Sequence, residues 1–281
     1  MNTPLWVADQ FRRLDDAGIA VVTIRGNHDA ASGVGRTSNS FRWPQNVTEL
    51  RADRPETLLL DDLRVAVHGQ SFATRDVREN LAKSYPDAVP DYLNVGLLHT
   101  HLKGQNCGES SHDVYAAASV DDLRAKGYDY WALGHIHQRD VACDDPYIVY
   151  AGNSQGRHIR ESGARGCYLV EVEDGRIAAP PTFHPTDVLR WQRVEIPLDA
   201  DDGLDAIYDR ASQQITLARD AAEGRPLAIR AVLTGRCRAH QELATAAGRD
   251  RAEAELRNLA REFDDVWIEK IRLRTSPAID T

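Results

Sequence analysis

The feature that most constrains this chain is a recurring one: an apolar, β-branched run that stops abruptly at asparagine or histidine. Residues 19–24 (IAVVTI) are continuous and branched, the mark of a strand buried on both faces. They lead directly into Arg25-Gly26-Asn27-His28-Asp29. Residues 92–98 form a second run, which ends at His99. Residues 128–133 form a third, which ends in Gly134-His135-Ile136-His137. In layered α/β folds, sites assemble at strand ends. Three buried strands that deliver Asn or His to their ends therefore point to an α/β layout with neutral ligands gathered along one edge.

The rest of the chain fits around those strands. Thr3-Pro4 reads as a cap followed by proline at the first helical position, and Val7, Phe11 and Leu14 recur at helical spacing until Gly18. Residues 58–60 and 63–67, joined through Asp61-Asp62, predict a hairpin. Ser119 predicts a short capped helix up to Gly127, with Asp121-Asp122 at its start, where the helix dipole favours acids. Residues 147–150 and 166–172 predict further strands, the latter followed by a turn at Glu173-Asp174-Gly175. After about Arg190 the texture changes. A strand at 195–198 precedes a helix marked by Leu204, Ile207, Ala211, Ile215 and Ala218, then come a strand at 227–233, a helix marked by Leu256, Leu259 and Phe263, and a strand at 266–273. That β-α-β-α-β order is self-sufficient and predicts two domains, 1–190 and 191–281.

The chemistry rests on the three polar clusters taken together. Glycine lets the backbone turn sharply and aim the next side chains past a sheet edge. Neutral imidazole and an amide oxygen are suitable ligands for manganese, iron or zinc. In an extended His-Ile-His, His135 and His137 point to one side and could address neighbouring metals. Two metals about 3.5–4 Å apart can polarise a phosphoryl group and supply a hydroxide nucleophile. Each cluster has a plainer reading when taken alone: Gly-Asn-His-Asp as turn chemistry, His99 as a satisfied core histidine. All three, in order and each at the end of a buried strand, are hard to explain by packing.

Other polar residues carry less. His101 reads as an exposed loop histidine rather than a spare ligand. Asn153, Gln155, Arg157 and His158 follow a strand, where a loop could meet substrate phosphate, with Arg157 the best suited to it. His68 reads as structural, and His112, His184 and His240 belong to no constellation. Cys107, Cys143, Cys167 and Cys237 form no C-x-x-C pair, which argues against a thiolate zinc site and for a reducing compartment, the cytoplasm. No apolar run approaches a membrane span. The net charge of −9 is unfavourable for a nucleic-acid partner, unless a local Arg patch or bound cations reverse the field. Lysine occurs only at Lys83, Lys103, Lys126 and Lys270, and Arg supplies the remaining positive charge. Arg suits bidentate phosphate contacts, although genome composition also accounts for its abundance.

The order GNHD, then a hydrophobic strand ending in His, then GHIH, resembles the calcineurin-like metallophosphoesterases. The stretches IRGNHDA, GLLHTHLKG, DDLRAKGYDYWALGHIHQRD and YAGNSQGRHIRESGARGCYLVEV are similar to the SbcD/YhaO branch of bacterial DNA-repair exonucleases. The resemblance covers nearly the whole chain. It implies an α/β fold: a two-layered β-sandwich flanked by helices, with a small C-terminal α+β capping domain. It implies Asn27, His99 and His135 as ligands of one metal, His137 as a ligand of a second, and His28 as the catalytic histidine; Asp29 would cap the following helix. The implied cofactor is a pair of Mn2+ ions, with Mg2+, Fe2+ or Zn2+ as substitutes. The implied activity is 3′-5′ exonucleolytic hydrolysis of DNA. The implied partners are DNA and a coiled-coil ATPase of the SbcC or YhaN type, and a homodimer is compatible with it.

The family pattern also opens with Asp-x-His and Gly-Asp-x-x-Asp, and neither motif is present. The expectation is that the fold is N-terminally truncated by a β-α-β unit of roughly 30 residues or more. A late start codon, a decayed gene and a non-catalytic remnant that binds DNA or an ATPase are the three readings of that departure. A protein phosphatase or a cyclic-nucleotide phosphodiesterase would use the same clusters on other substrates.

Overall fold

The computed structural model describes residues 3–32, 43–104 and 114–278. Cys107 and His112 lie outside them. By their contacts these residues form two units. One runs up to Gly152 and includes Tyr168–Phe183. The other combines Asn153–Cys167 with the chain from His184 onward.

The first unit opens with helix α1 (Thr3–Asp16), strand β1 (Val21–Thr23), the short helix α2 (Asn27–Ser32) and strand β2 (Val47–Glu49). Strands β1 and β2 pair in parallel as a separate two-stranded sheet. The expectation of a β1 strand buried on both faces fails here: Val21, Val22 and Thr23 are only half-buried, because a strand with a single hydrogen-bonded neighbour has less around it. The body of the unit is a six-stranded sheet in the order β3-β4-β5-β6-β8-β7. Its members are β3 (Glu56–Leu60), β4 (Val65–Gly69), β5 (Leu93–His99), β6 (Tyr130–Gly134), β7 (Asp140–Asp144) and β8 (Tyr147–Tyr150). The central strands β4, β5, β6 and β8 run parallel, and the edge strands β3 and β7 are antiparallel to their neighbours. The expected hairpin is β3–β4, turning through Arg64 at φ 54°.

Burial explains why the sheet holds. Trp131, Tyr150, Leu98, Ile148, Phe72 and Leu123 are almost wholly excluded from water. Trp131 lies across β5 at Gly96, where a side chain would bring its first carbon within 2.4 Å of the indole. Helix α3 (Val120–Arg124) starts at Ser119, whose hydroxyl accepts from the Asp122 N–H (3.1 Å) while the Asp122 carboxylate accepts from the Ser119 N–H (2.9 Å). Asp122 of the acid pair thus has a specific capping partner beyond the dipole. His68 is fully buried, and Asn94 fixes its tautomer. Asn94 Nδ2 donates to the carbonyls of Val89 and Tyr92, so its Oδ1 must accept from His68 Nε2 (3.0 Å), leaving Nδ1 to accept from Thr57 (2.9 Å). The structural role read for His68 holds.

After β8 the chain forms β9 (Gly166–Leu169), β10 (Val172–Glu173), β11 (Arg176–Ile177) and β12 (Thr182–Pro185). Asp174 and Gly175 close the β10–β11 turn with φ of 50° and 75°, as that turn type requires. In the second unit, β13 (Arg190–Leu198), α4 (Leu204–Asp220), β14 (Leu227–Cys237), α5 (His240–Ala244), α6 (Ala246–Arg261) and β15 (Val266–Pro277) follow the expected order, with longer strands and with the short helix α5 as an unexpected addition. The three strands form an all-parallel sheet, β13-β14-β15. One face of it (Val194, Ile196, Leu198, Ile229, Ala231, Leu233, Ile268, Ile271) shares a core with Ile207, Ala211 and Ile215 of α4 and with Ala252, Leu256 and Ala260 of α6. His240 is tied to Thr275 at 2.9 Å, a structural contact. No helix among the described residues is long and apolar enough to cross a membrane.

Candidate metal centre

The parallel register sets His99, the last residue of β5, beside Gly134, the last residue of β6. Gly26 caps α2: its carbonyl accepts from the Ala30 N–H (3.0 Å), and the Asp29 carboxylate reaches back to its N–H (3.0 Å). Asp29 is therefore engaged as a cap. The imidazole of His99 fills the space between the two glycines. A side chain at Gly26 would place its first carbon 2.4 Å from His99 Cε1, and one at Gly134 would come within 3.1 Å of Nδ1. The glycines are needed here to admit a ring, as well as to turn the chain.

Inside this cradle Asn27 Oδ1 lies 3.0 Å from His99 Nε2. Asn27 is buried and His99 half-buried. The His135 ring stands edge-on to His99, with centroids 5.2 Å apart. His135 has φ 98°, a backbone conformation that a bulky side chain rarely adopts. Such an outlier persists only where its surroundings fix it, and these cluster at functional sites. The extended His-Ile-His expected from the sequence is thus a bend, with Ile136 buried in the core and a histidine on either side of it. The next residue of the motif, His137, is half-buried, and a side chain at Gly152 would strike its carbonyl at 2.6 Å. Burial above all, then the charges of His28 and His137, holds His99 down to about 4. His99 is therefore neutral at physiological pH, the state in which imidazole binds metals. His28 itself is exposed on the first turn of α2.

Two further residues lie near this cluster, one misread in the sequence and one unmarked there. His101 is half-buried, not an exposed loop residue, and its ring lies 6.3 Å from that of His135. Tyr115, buried, lies 5.5 Å from the same ring and has the Arg78 guanidinium 5.0 Å above its own. The two-residue spacing of His99 and His101, which puts both on one side of an extended segment, was the available signal for the first. Nothing in the sequence marks the second. Asn153, Arg157 and His158 belong to the other unit. There Asn153 Nδ2 donates to the Gln155 carbonyl (3.0 Å), and the Arg157 N–H donates to the buried Glu161 carboxylate (2.8 Å).

The donor set can be tested against a cation. The 3.0 Å between the Asn27 amide oxygen and the His99 imidazole nitrogen is a hydrogen bond, and the same separation would suit two ligands each about 2.1 Å from one ion and at right angles. One amide and two imidazoles fit a single borderline cation such as Mn2+, Fe2+ or Zn2+. A bridging carboxylate for a second ion has no candidate among the described residues, since Asp29 serves the Gly26 N–H. Among those residues no group of three or more His, Cys, Asp and Glu could hold an ion, so the amide of Asn27 is indispensable to the set.

Comparison with known proteins agrees with this chemistry. The family described as metallophosphoesterase YhaO, middle domain, matches residues 191–276. The chain is 33% identical over 239 residues to the metallophosphoesterase YhaO of Bacillus subtilis, an alignment covering 84% of this chain and 56% of that protein. It is 26% identical over 204 residues to the DNA double-strand break repair protein Mre11 of Haloferax volcanii, covering 72% and 43%. It is 28% identical over 140 residues to the protein of the same name in Sulfurisphaera tokodaii, covering 47% and 33%. The chain thus spans between a third and somewhat over half of the length of these relatives. With its mixed central sheet, flanking helices and C-terminal sheet-and-helix region, the chain belongs to the calcineurin-like metallophosphoesterases of the SbcD/YhaO type.

Proposed function

We propose that this chain is a metal-dependent phosphodiesterase acting on DNA, with 3′-5′ exonucleolytic hydrolysis as its reaction. The observation that carries the reading is the 3.0 Å approach of Asn27 Oδ1, at the start of α2, to His99 Nε2, at the end of β5, with His135 beside them. Asn27, His99 and His135 would hold one divalent cation, with Mn2+ favoured, and His137 would serve a second. A divalent cation there supplies Lewis-acid polarisation of a phosphoryl oxygen and a water of lowered pKa. The protein's own part is distinct. The glycine cradle fixes the His99 ring, and burial keeps that ring neutral. His28, exposed on α2, would give a proton to the departing 3′ oxygen.

DNA is favoured over phosphoamino acids or cyclic nucleotides because two of the relatives are DNA double-strand break repair proteins. A coiled-coil ATPase of the SbcC or YhaN type is the partner that follows from this reading. Free Cys143, Cys167 and Cys237 suit the cytoplasm as its compartment. A second reading, a binding subunit without hydrolysis, is favoured by the donor set, in which no carboxylate joins the neutral ligands among the described residues.

The two readings separate in one experiment. Mn2+ is titrated calorimetrically into the purified chain, and a 5′-labelled oligonucleotide is then incubated with the loaded protein and with His28→Ala. Mn2+ binding with stepwise shortening from the 3′ end, lost in His28→Ala, supports the nuclease. DNA bound but never shortened, with saturating Mn2+, leaves the binding subunit. Release of phosphate from a phosphotyrosine peptide, with DNA untouched, sinks the choice of substrate.

A further inference from the structure

The second unit has a sheet face turned away from α4 and α6; Ala228 and Val232 on it are buried, and its β15 side is exposed. Alternation along the strands turns Val194, Ile196, Ile229, Ala231, Ile268 and Ile271 into the helical core. The opposite face carries three cross-strand rows: Trp191, Ala228 and Trp267; then Arg193, Arg230 and Lys270; then Glu195, Val232 and Arg272. Thr234 beside Arg274, and Arg236 beside Ser276, continue it. A bulge in β15 sets both Glu269 and Lys270 opposite Arg230.

The charges on this face do not balance. Its two acids are already engaged: Glu195 with Arg193 at 3.0 Å, and Glu269 with Arg230 in a two-pronged contact of 2.8 and 2.9 Å. Arg236, Lys270, Arg272 and Arg274 are exposed and make no ion pair among the described residues. The Glu269 carboxyl registers this field, held below its ordinary value first by the hydrogen bond from Arg230 and further by the charges of Lys270 and Arg272. In a chain of net charge −9, four exposed cations gathered without an ion pair among the described residues are a local reversal of sign. Beside them Trp267 is 58% exposed.

The segment 153–167 lies on the same face. Trp191 Nε1 donates to the Gly156 carbonyl (3.1 Å), and the 3-10 turn Ile159–Glu161 packs against β13 and β14. The buried carboxylate of Glu161 takes the Arg157 N–H, and the side chains of Arg157 and His158 stand out into water.

We propose that this sheet face binds a single-stranded nucleic acid, a base stacking on Trp267 and successive phosphates running along Lys270, Arg272 and Arg274. The proposal deepens the DNA reading above and rests on it for the identity of the polymer. Alternate residues of a strand stand about 6.6 Å apart, a spacing on the scale of one nucleotide of an extended strand. Exposed aromatics among cations are the usual means of holding single strands, because every base presents a π face. A duplex hides those faces, and an acidic peptide has no rings to offer. Cations on an edge strand also guard against edge-to-edge association. That role does not account for Arg236 on the central strand, nor for a tryptophan left in water on the edge itself.

The test uses the full chain in EDTA, so that the metal centre plays no part. Fluorescence anisotropy follows labelled (dT)16, a duplex of the same length, and poly-glutamate, for the wild type and for the Arg272→Ala/Arg274→Ala double variant. Trp267→Ala and Trp267→Phe complete the set. The double variant should bind (dT)16 more weakly and lower the salt slope by about 1.4, two phosphate contacts' worth. Trp267→Ala should weaken binding on the order of tenfold, and Trp267→Phe should restore most of it. Wild type that binds (dT)16, with all variants equal to it, overturns this surface and leaves the DNA reading standing. Wild type that binds neither DNA form overturns that reading too. Variants that lose only duplex or only poly-glutamate binding replace the single strand with another occupant. Thermal melts show whether each variant is folded.

Discussion

The two units solve opposite problems. The second is regular: an all-parallel sheet, two long helices and one continuous apolar core from Val194 to Ile271. The first has regularity in the middle of its sheet and gives it up at the strand ends. There His135 takes a rare φ, a half-buried ring is wedged between two glycines, and a six-residue helix begins on a would-be ligand. The difference teaches where each kind of free energy sits. In the second unit apolar burial is spent on stability alone, while in the first it also forces polar atoms such as Asn27 Oδ1 and His99 Nε2 into positions they would not hold in water.

That contrast can be broken by experiment. Leu256→Ala empties a fully buried position in the second core and should cost about 2–5 kcal/mol. Urea unfolding would measure it, while Mn2+ affinity should not change; a parallel loss of both would show that the division of labour is false. His99→Ala removes a proposed ligand and should weaken Mn2+ binding on the order of a hundredfold or more, with calorimetry as the readout. Gly26→Ala drives a methyl into the His99 ring and should destabilise the first unit by about 1–3 kcal/mol, losing Mn2+ affinity as the ring is displaced. Full affinity in that variant would mean the cradle is not what positions the ring.

The smallest effect sharpens the contrast within the first unit. Burial pushes His68 below its ordinary value, against the opposing pull of its bond to Asn94. Below about pH 6.5 the unfolded chain takes up a proton that the folded one resists. The contribution of this residue is therefore intact at neutral pH and declines as the pH falls toward the folded pKa. Urea midpoints measured from pH 8 to pH 5.5 should fall less steeply in His68→Gln than in the wild type. Equal slopes would mean that His68 titrates freely in the fold.

The sequence was most legible where periodicity and local chemistry agree. The alternation and helical spacing after Arg190 gave the element order of the second unit, because there a residue's neighbours in sequence also decide its burial. The ends of β5 and β6 were visible as apolar runs stopping at His99 and His135. What stayed hidden depends on partners far along the chain. The half-buried state of β1 follows from its single neighbour β2, whose residues lie well down the chain (Val21 pairs with Val47) and outside any pattern β1 carries itself. The bend at His135 contradicts the extended form that His-Ile-His suggests locally. Tyr115 reaches the cluster through folding alone, and the loop 153–167 gave no hint that it would join the second unit.

That last feature bears on how the molecule can be taken apart and recombined. The segment 153–167 is sewn to the start of β13 by Gln155 Nε2 on the Leu189 carbonyl, Trp191 Nε1 on the Gly156 carbonyl, and the Gly163 N–H on the Trp191 carbonyl. A fragment cut at residue 191, where the family match begins, severs the two stitches that Trp191 makes, strands Leu189 and Gln155 on the other piece, and leaves an indole N–H without its acceptor. Chimeras that exchange the C-terminal half among relatives should therefore carry residues 153–167 along with it, grafting two discontinuous stretches of gene as one inheritable piece.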